Sequence, residues 1–553
     1  MNINEEFTFR TEELSDEELR KRYVESKGDR ENINLIKSKS PILLVGSRGT
    51  GKTMILKVAE KELDDEFNTS KVLGVFVSFR KSIFLERVKN PIYFRQWMMA
   101  KTIFALIRKI EKKGLALNSS GIFDRYFEVD ENNMGSIIEK LNKFTKLLEK
   151  SSKGKDIDLP KEIKLIMGIE SDDIEVLNEL DYFNALIEDL CAELKIDRIV
   201  FLFDEASHNF IPSQQREFFT LFRDLMSPIV SCKAAVYPGI TSYGTFQKFH
   251  DAKERRIEKD IHDSNFTVTM REIVKNQVSE EIYTKIERQG ELFDCLIYSS
   301  AGNPRLLLKS ILLSIENKFN NKGVNDTIKE FYRTSIWNEH TKLAEIYSGH
   351  KPLIDWGRHF IENIVLVETN QKNETRKNDA KKQQTIYFAI HRDAPEQVKH
   401  AIRILEYSGI VSIHTEGTKV RGEIFDRYQI NFGVVLGTSQ APINYFKSIL
   451  EGLSIKLYTD YGMNSPAYND IICFSEENIN FDSVIDKVLE TSVEKLDITE
   501  FQRESIKSGG FNNLGDILEG KEEDLQRVSN IGPKRARYIW NAAYNATMEY
   551  FSG

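Results

Sequence analysis

The chain has 553 residues, of which 41% are apolar and 29% charged. A chain of this length predicts about three to five domains, and its apolar share excludes wholly disordered, collagenous and low-complexity classes. Lys plus Arg number 77 and Asp plus Glu 85, a net charge of −8, which excludes a uniformly basic nucleic-acid coat protein but not local basic patches.

No apolar run approaches the ~20 residues of a membrane span. Met1 to Leu14 is acidic and polar, unlike a signal peptide. Cys191, Cys232, Cys295 and Cys473 are scattered without CxxC spacing. Structural zinc and a disulfide framework are therefore not expected, and each thiol reads as a small buried hydrophobe. The expectation is a soluble cytoplasmic protein with no membrane contact.

Residues 1–34 read as an N-terminal helical segment. The apolar run Pro41 to Val45 then predicts a buried strand. It leads into Gly46-Ser47-Arg48-Gly49-Thr50-Gly51-Lys52-Thr53 and the helical pattern MILKVAEKEL. This is GxxxxGK[ST] between a strand and a helix, the P-loop pattern. Its glycines let backbone N–H groups close around phosphate oxygens, and the helix N-terminus adds its positive dipole end. Lys52 can reach the β- and γ-phosphates of ATP, and the Thr53 hydroxyl can hold Mg²⁺.

Between Phe79 and Ile199 lie far more residues than one crossover helix needs. Pro91 to Lys113 predicts a helix with Phe94, Trp97, Met98, Phe104 and Ile107 on one face. Gly135 to Ser151 predicts a second helix, and Asp156 to Asp173 a polar, mobile loop. The whole reads as a helical insertion over about 84–178, a partner-docking surface or simple packing against the core. Within the loop, DIDLPKEIK places an acid ahead of Glu162-Ile-Lys164, loosely as in a metal nuclease. The flanking strands of such a site are missing from the pattern.

Ile199 to Phe203 is a continuous apolar run ending in Asp204-Glu205, as expected of a central parallel strand with carboxylates at its ligand-binding end. Asp204 would hold Mg²⁺ through water, and Glu205 would polarise the attacking water. The next strand candidate, Ala234 to Ile240, is followed by Thr241, whose hydroxyl either senses the γ-phosphate or belongs to an ordinary turn. Asp251 to Asp260 (DAKERRIEKD) reads as a solvated charged helix or as the carrier of an arginine finger, Arg255 or Arg256, aimed at a neighbouring subunit's nucleotide. Phe266 to Met270 predicts a further strand. Gly302-Asn-Pro-Arg305 then opens an apolar helix.

From Leu35 to Asn317 these motifs resemble the AAA+ ATPases, and most closely their origin-recognition (Orc/Cdc-like) branch. The resemblance implies a P-loop core over 35–270 and a helical lid with linker helices over 271–366. In that branch a G-x-P-R motif in the lid carries an arginine that contacts the γ-phosphate, and Arg305 stands at that place. ATP and Mg²⁺ are the cofactors implied, and a homo-oligomer the assembly.

Ile315 to Leu366 looks helical and aromatic. Glu368 to Gln384 lacks apolar spacing and predicts an exposed loop, with Arg376, Lys377, Lys381 and Lys382 as a basic patch. Thr385 to Ile390 predicts a strand, Glu396 to Tyr407 a helix ended by Gly409, and Ile410 to Asn431 a hairpin. Over 385–436 this resembles a winged helix–turn–helix. Its candidate DNA contacts are Lys399 and Arg403 on the helix and Lys419 and Arg421 on the wing; protein contact is the alternative.

Residues 437–489 read as a small mixed α/β region. The pattern L-x-x-V-x-x-I-G-x-x-x-A-x-x-I from Leu525 to Ile539, within 490–553, resembles a helix–hairpin–helix. The preceding GGFNNLGDIL is similar to the C-terminal domain of the bacterial RNA polymerase α subunit. Lys534, Arg535 and Arg537 lie beside the hairpin glycine, where DNA phosphates would be met without base readout; protein docking is again the alternative.

The fold class expected is thus multidomain α/β: a P-loop parallel sheet with a helical lid, a winged helix, a small α/β region and an all-α hairpin module. The function expected is an ATPase coupling nucleotide state to DNA. The text VGSRGTGKTM resembles Orc/Cdc-like ATPases of bacterial antiphage and mobile-element loci, which implies a separately encoded effector. A nucleotide-switched scaffold binding protein partners, or a replication-initiator-like ATPase, are the alternatives.

Overall fold

The computed structural model describes residues 7, 11, 14–85, 91–115, 122, 127, 134–151, 158–168, 174–205, 212–238, 241–346, 350–377, 382–469, 471, 489–496, 498–518 and 522–552. They form two compact units. The first comprises residues 1–285 with 302–308; the second comprises 286–301 with 309–552.

The first unit opens with α1 (Asp16–Arg22) and α2 (Lys27–Lys37). Each starts at a serine, Ser15 and Ser26, in a reciprocal capping box that satisfies otherwise orphaned backbone donors. β1 (Ile42–Val45) follows, fully buried, then α3 (Lys52–Ser70), β2 (Val72–Ser78), β3 (Arg198–Asp204), β4 (Val230–Val236) and β5 (Lys253–Arg256). The strands make a parallel five-stranded sheet in the order β2-β3-β4-β1-β5. Because β1 is inserted between β4 and β5, the ends of β1 and β3 face one crevice, where open α/β sheets take ligands.

The long insertion between β2 and β3 packs onto the sheet. α4 (Pro91–Lys112) buries Phe94, Trp97, Met98 and Ile107, as expected, with Phe104 packed at the margin. Trp97 lies 5.6 Å from the Phe79 ring, and Phe79 stacks at 5.5 Å on Phe203 of β3. α5 (Met134–Ser151) joins the same core and pairs Glu149 with Lys101 at 2.9 Å. Ion pairs also tie α4 to α3: Lys109 meets Glu60 at 2.7 Å and Asp64 at 2.8 Å.

Three expectations for this unit are corrected. The polar loop expected over 156–173 holds α6 (Leu159–Met167), capped by Asp158 and with Ile163 and Met167 buried; 156–157 and 169–173 lie outside the described residues. Glu162 sits on this helix, and among the described residues no cluster of His, Cys, Asp or Glu could hold a metal ion. The segment KERR is a strand and not a helix: β5 pairs on one side only, so its charged side chains stay in solvent, a usual device of edge strands. The expected strand Phe266–Met270 is the start of α7 (Phe266–Lys275). Phe266, Met270 and Val274 recur every four residues and are buried, which places them on one helical face, while Val268 is exposed.

α8 (Pro304–Glu316) follows the GNPR motif. In the second unit, α9 (Lys351–His359) and α10 (Leu366–Arg376) precede β6 (Tyr387–His391). α10 takes the place of the expected loop as far as Arg376; 378–381 lie outside the described residues. Its buried positions are Leu366, Thr369 and Asn373, so the helical face is half polar and invisible to an apolar count. Asn373 exchanges two hydrogen bonds with the Thr385 backbone, at 2.8 and 2.9 Å, which satisfies the buried amide. Arg376 is in its last turn, and Lys381 lies outside the described residues.

α11 (Glu396–Ser408) and the hairpin β7 (Val411–Val420)–β8 (Glu423–Ile430) appear as expected, with Gly409 ending the helix at φ 74°. Arg421 and Gly422 both have positive φ, 51° and 92°, the two-residue turn that matches strand twist. The sheet runs β7-β8-β6-β9, with β9 (Thr459–Tyr461) contributed by the region that also holds α12 (Pro442–Gly452). The C-terminal part contains α13 (Glu500–Ser508), α14 (Glu522–Gln526) and α15 (Pro533–Ser552), with Leu525, Ile531, Ala536 and Ile539 buried. Among the described residues no helix is long and apolar enough to cross a membrane. Cys191, Cys232 and Cys295 are buried and unbridged, with burial pushing the Cys191 thiol up to about 11; Cys473 lies outside the described residues.

Candidate functional site

β1 delivers the loop Gly46–Thr53 to the crevice, and α3 starts at Lys52. Gly49 and Gly51 have φ of 94° and 101°, left-handed values that suit glycine. At Gly49 space matters too: a Cβ would lie 2.8 Å from Asn303 Oδ1. Lys52 is buried, and its Nζ donates to the carbonyl oxygens of Gly46 and Ser47, the latter at 3.0 Å. The Tyr237 ring lies 4.1 Å from that ammonium.

Thr53 Oγ1 donates to Asp204 Oδ2 at 2.9 Å. Asp204 is buried at the end of β3. Glu205 follows at φ 56°, a sharp turn that takes its side chain out of the strand line into the cavity. The Tyr237 hydroxyl is 3.5 Å from Glu205 Oε1. Two hard oxygen donors this close, beside a P-loop, suit Mg²⁺, which takes one or two protein oxygens and leaves its other positions to water and phosphate. Thr53 and Asp204 would hold it, and it would supply charge neutralisation between phosphate oxygens.

The GNPR segment reaches the same place within the first unit. Asn303 Nδ2 donates to the Arg48 carbonyl at 2.8 Å, while its Oδ1 accepts from the backbone N–H of Arg305 and Leu306, capping α8. The Arg305 N–H approaches the Gly49 carbonyl at 3.4 Å, and Arg305 lines one cavity with Arg48, Lys52, Thr53, Asp204 and Glu205. Gly302 has φ 78°, and a Cβ there would meet the Lys259 carbonyl at 2.3 Å.

Other expected residues are placed elsewhere. Thr241 Oγ1 donates to the Tyr237 carbonyl at 2.7 Å, and Thr241 is not among the cavity's lining residues; Tyr237 is. Arg255 pairs with Glu31 at 2.8 Å and Arg256 with Glu254 at 3.7 Å, both on the edge strand and outside the cavity of their own chain.

Sequence reasoning missed Glu258, Asn303 and the cavity wall formed by Tyr23, Ile273 and Gln277. Glu258 Oε1 accepts from the Ser47 N–H at 2.9 Å, fixing the first turn of the loop. Asn303 ties the Arg48 carbonyl to the start of α8 through its two sets of bonds. Finally, Tyr23, Ile273 and Gln277 line the cavity, and Arg22 Nη1 donates to Gln277 Oε1 at 2.7 Å. Only the acid after RRI and the Asn within GNPR were visible as signals; nothing in residues 1–34 marks a cavity wall.

Burial pushes the Lys52 ammonium down to about 8, with Arg305 acting the same way and Glu258, Asp204 and Glu205 opposing. Phosphate brought to Lys52 favours the charged form. Nucleotide binding above about pH 8 should therefore take up a proton, approaching about one per site near pH 9, and affinity should fall as pH rises further. Titration calorimetry in two buffers of different ionisation enthalpy measures this; identical heats at pH 9 would mean that no proton is taken up and that Lys52 is already charged in the free protein.

In the second unit, the expected DNA contacts differ in availability. Lys419 and Arg421 are exposed at the tip of the β7–β8 hairpin. Lys399 and Arg403 instead pair with the buried Glu396 at 2.7 and 2.9 Å. Burial works against that carboxylate, but Arg403 and Lys399 outweigh it and hold it down to about 2. Lys534 is exposed, and Arg535 donates to the Asn530 carbonyl at 2.7 Å with Phe501 beneath it. Asn530 takes the left-handed turn, φ 68°. Arg537 is largely buried: it pairs with Glu522 and donates to the carbonyls of Asp393, 2.9 Å, and Met463, 3.2 Å. It fastens α15 to the turn before α11, so an open phosphate contact is not its position here.

Among proteins of known identity, the chain is 25% identical over 124 residues to the DNA-directed RNA polymerase subunit alpha of Moorella thermoacetica, covering 22% of this chain and 38% of that one. It is 27% identical over 131 residues to the same subunit of Desulforamulus reducens, covering 24% and 40%. The chain thus spans about two fifths of the length of these relatives. Among solved structures, the Walker-type ATPase PABY2304 of Pyrococcus abyssi aligns over 79% of this chain and 98% of its own at 14% identity, TM-score 0.36. The Aeropyrum pernix ORC1 protein, solved in complex with DNA, aligns over 76% and 93% at 12% identity, TM-score 0.30. The pattern of one family, ORC-CDC6-like, matches residues 7–415, well over half of the sequence, and the chain belongs to that family.

Proposed function

We propose that this chain is an ATP-binding and ATP-hydrolysing switch that couples its nucleotide state to engagement of DNA. The observation that carries the first half is the convergence of Lys52, Thr53, Asp204, Glu205 and Arg305 on one cavity. Lys52 neutralises phosphate charge, Thr53 and Asp204 hold Mg²⁺, Glu205 orients and polarises the attacking water, and Arg305 reads the γ-phosphate. The family membership supports the same assignment. Arg255 or Arg256 would complete a neighbour's site in a homo-oligomer. The proposed division is a core over 35–270, lid to 366, winged helix over 385–436, a small region to 489 and a hairpin module beyond. The proposed setting is cytoplasmic antiphage or mobile-element defence with a separately encoded effector.

Arg305→Ala is expected to weaken ATP about tenfold or more while changing ADP little, because ADP lacks the group it contacts. Equal losses for both nucleotides would make Arg305 structural.

The DNA half is tested by a duplex shift assay across salt, with ATP and with ADP. Phosphate contacts give affinity that falls with salt on a log–log line. Deleting Gly510–Gly553 is expected to lower that affinity and leave basal hydrolysis intact; an unchanged affinity would assign the module to protein docking. The scaffold reading has one observation in its favour, the neutralisation of Lys399 and Arg403 by Glu396. It prevails if no duplex is bound at low salt in any nucleotide state.

A further inference from the structure

The second unit contains a cavity of about 450 Å³ where α15 packs beside α11. Its volume is within the range of small-molecule sites. Lys534, Arg537, Tyr538 and Asn541 come from one face of α15, at helical spacing. Arg392 and Lys399 come from the turn before α11 and its first turns, and Lys495 from the segment ahead of α13. Five cations therefore line it against two carboxylates, Asp393 and Glu396.

The charges are not equally committed. Arg537 is held by Glu522 and by the Asp393 and Met463 carbonyls, and forms a rigid floor. Lys399 is paired with Glu396. Lys534 is 3.9 Å from Asp393, with its side chain 84% exposed. Arg392 and Lys495 are exposed and carry no ion pair among the described residues. Tyr538, 52% exposed, sets an aromatic ring in the same wall. Open cations around a fixed floor, with a ring beside them, are the elements that hold one nucleotide: phosphate on the cations, base or sugar on the ring.

We propose that this cavity is a second phosphate site, remote in sequence from the P-loop, that takes a single nucleotide unit of an unpaired strand. A concave pocket of this volume admits one unit of a strand and not the flank of a duplex. The proposal rests on the reading that the second unit engages nucleic acid, and adds the strand form. The same chemistry would also accept a free mononucleotide.

The test uses the full chain with ADP and Mg²⁺ saturating the P-loop. The probe is a fluorescein-labelled oligothymidylate followed by anisotropy across salt. The double substitution Arg392→Glu/Lys495→Glu is expected to weaken binding at least about tenfold and to flatten the salt slope by about 1.4, at ~0.7 per lost single-strand contact. Tyr538→Ala is expected to cost about tenfold with the slope unchanged. Because all three side chains are exposed, an unshifted Tm verifies that folding is intact. Competition by dTMP as effective per nucleotide as the oligomer assigns the pocket to a free nucleotide; competition that needs a strand assigns it to nucleic acid. Oligomer binding that survives both variants, yet falls with Lys419→Glu/Arg421→Glu on the wing, overturns the cavity site and leaves the DNA reading standing. Absence of binding to any strand or duplex by the wild-type chain overturns both.

Discussion

Lys52→Ala is expected to abolish measurable ATP binding, with affinity at least about a hundredfold lower than wild type. A charged hydrogen bond is worth ~1.5–3 kcal/mol, and Lys52 is the buried cation at the start of α3 that can meet phosphate directly. In the free protein its Nζ is satisfied by the Gly46 and Ser47 carbonyls. Binding exchanges those oxygens for phosphate oxygens without moving the lysine to solvent. Alanine removes the charge and also leaves two buried carbonyls without that donor. The loop itself should persist, because Glu258 holds the Ser47 N–H, the Thr50 hydroxyl donates to the Ser47 carbonyl, and Asn303 holds the Arg48 carbonyl. Thermal unfolding separates the two effects. ATP at a hundred times its Kd should stabilise the wild-type chain by about 2.7 kcal/mol and Lys52→Ala by no more than about 0.4 kcal/mol. A variant raised in Tm by ATP as far as the wild-type chain would show that Lys52 is not the phosphate anchor.

The P-loop and the Asp204-Glu205 pair were legible because local chain grammar dictates them: a buried run that must be a strand, glycines where φ is positive, a lysine opening a helix. The lid motif was legible as punctuation, but the role of Asn303 was not. Its value lies in bridging Arg48 and the start of α8, residues far apart in sequence. The cavity wall from residues 1–34 was invisible for the same reason, since Arg22 and Gln277 meet only in the fold. α10 was hidden because its buried face carries Thr369 and Asn373 in place of a full apolar stripe. β5 was hidden because all four of its residues are charged, a composition an edge strand tolerates and one without the apolar alternation that marks a half-buried strand. The β7–β8 hairpin was legible and is present, yet the state of the cations around it was not legible. Charge in a sequence says nothing of its partner, and Glu396 and Glu522 decide which of Lys399, Arg403 and Arg537 face solvent as open charges.

Glu205→Gln should keep ATP binding within about twofold and lower the turnover rate by ~10²–10⁴, the range for loss of a positioned general base. The substitution is nearly isosteric and leaves Lys52, Thr53 and Asp204 untouched, so the groups that neutralise phosphate remain. What it removes is a carboxylate that the left-handed turn at φ 56° sets apart from the strand line, 3.5 Å from the Tyr237 hydroxyl. Asp204→Asn is the informative contrast. Asp204 faces Thr53 Oγ1 at 2.9 Å, so its loss should weaken Mg²⁺-dependent nucleotide binding as well as turnover. If the roles are divided this way, Glu205→Gln accumulates an ATP-bound protein, and DNA affinity measured in that variant should equal the wild-type value obtained with a non-hydrolysable analogue. Steady-state phosphate release and a direct binding titration decide it together. Wild-type turnover in Glu205→Gln would mean that another group handles the attacking water, and Tyr237, which shares the cavity with Lys52 and Glu205, would be the residue to substitute next.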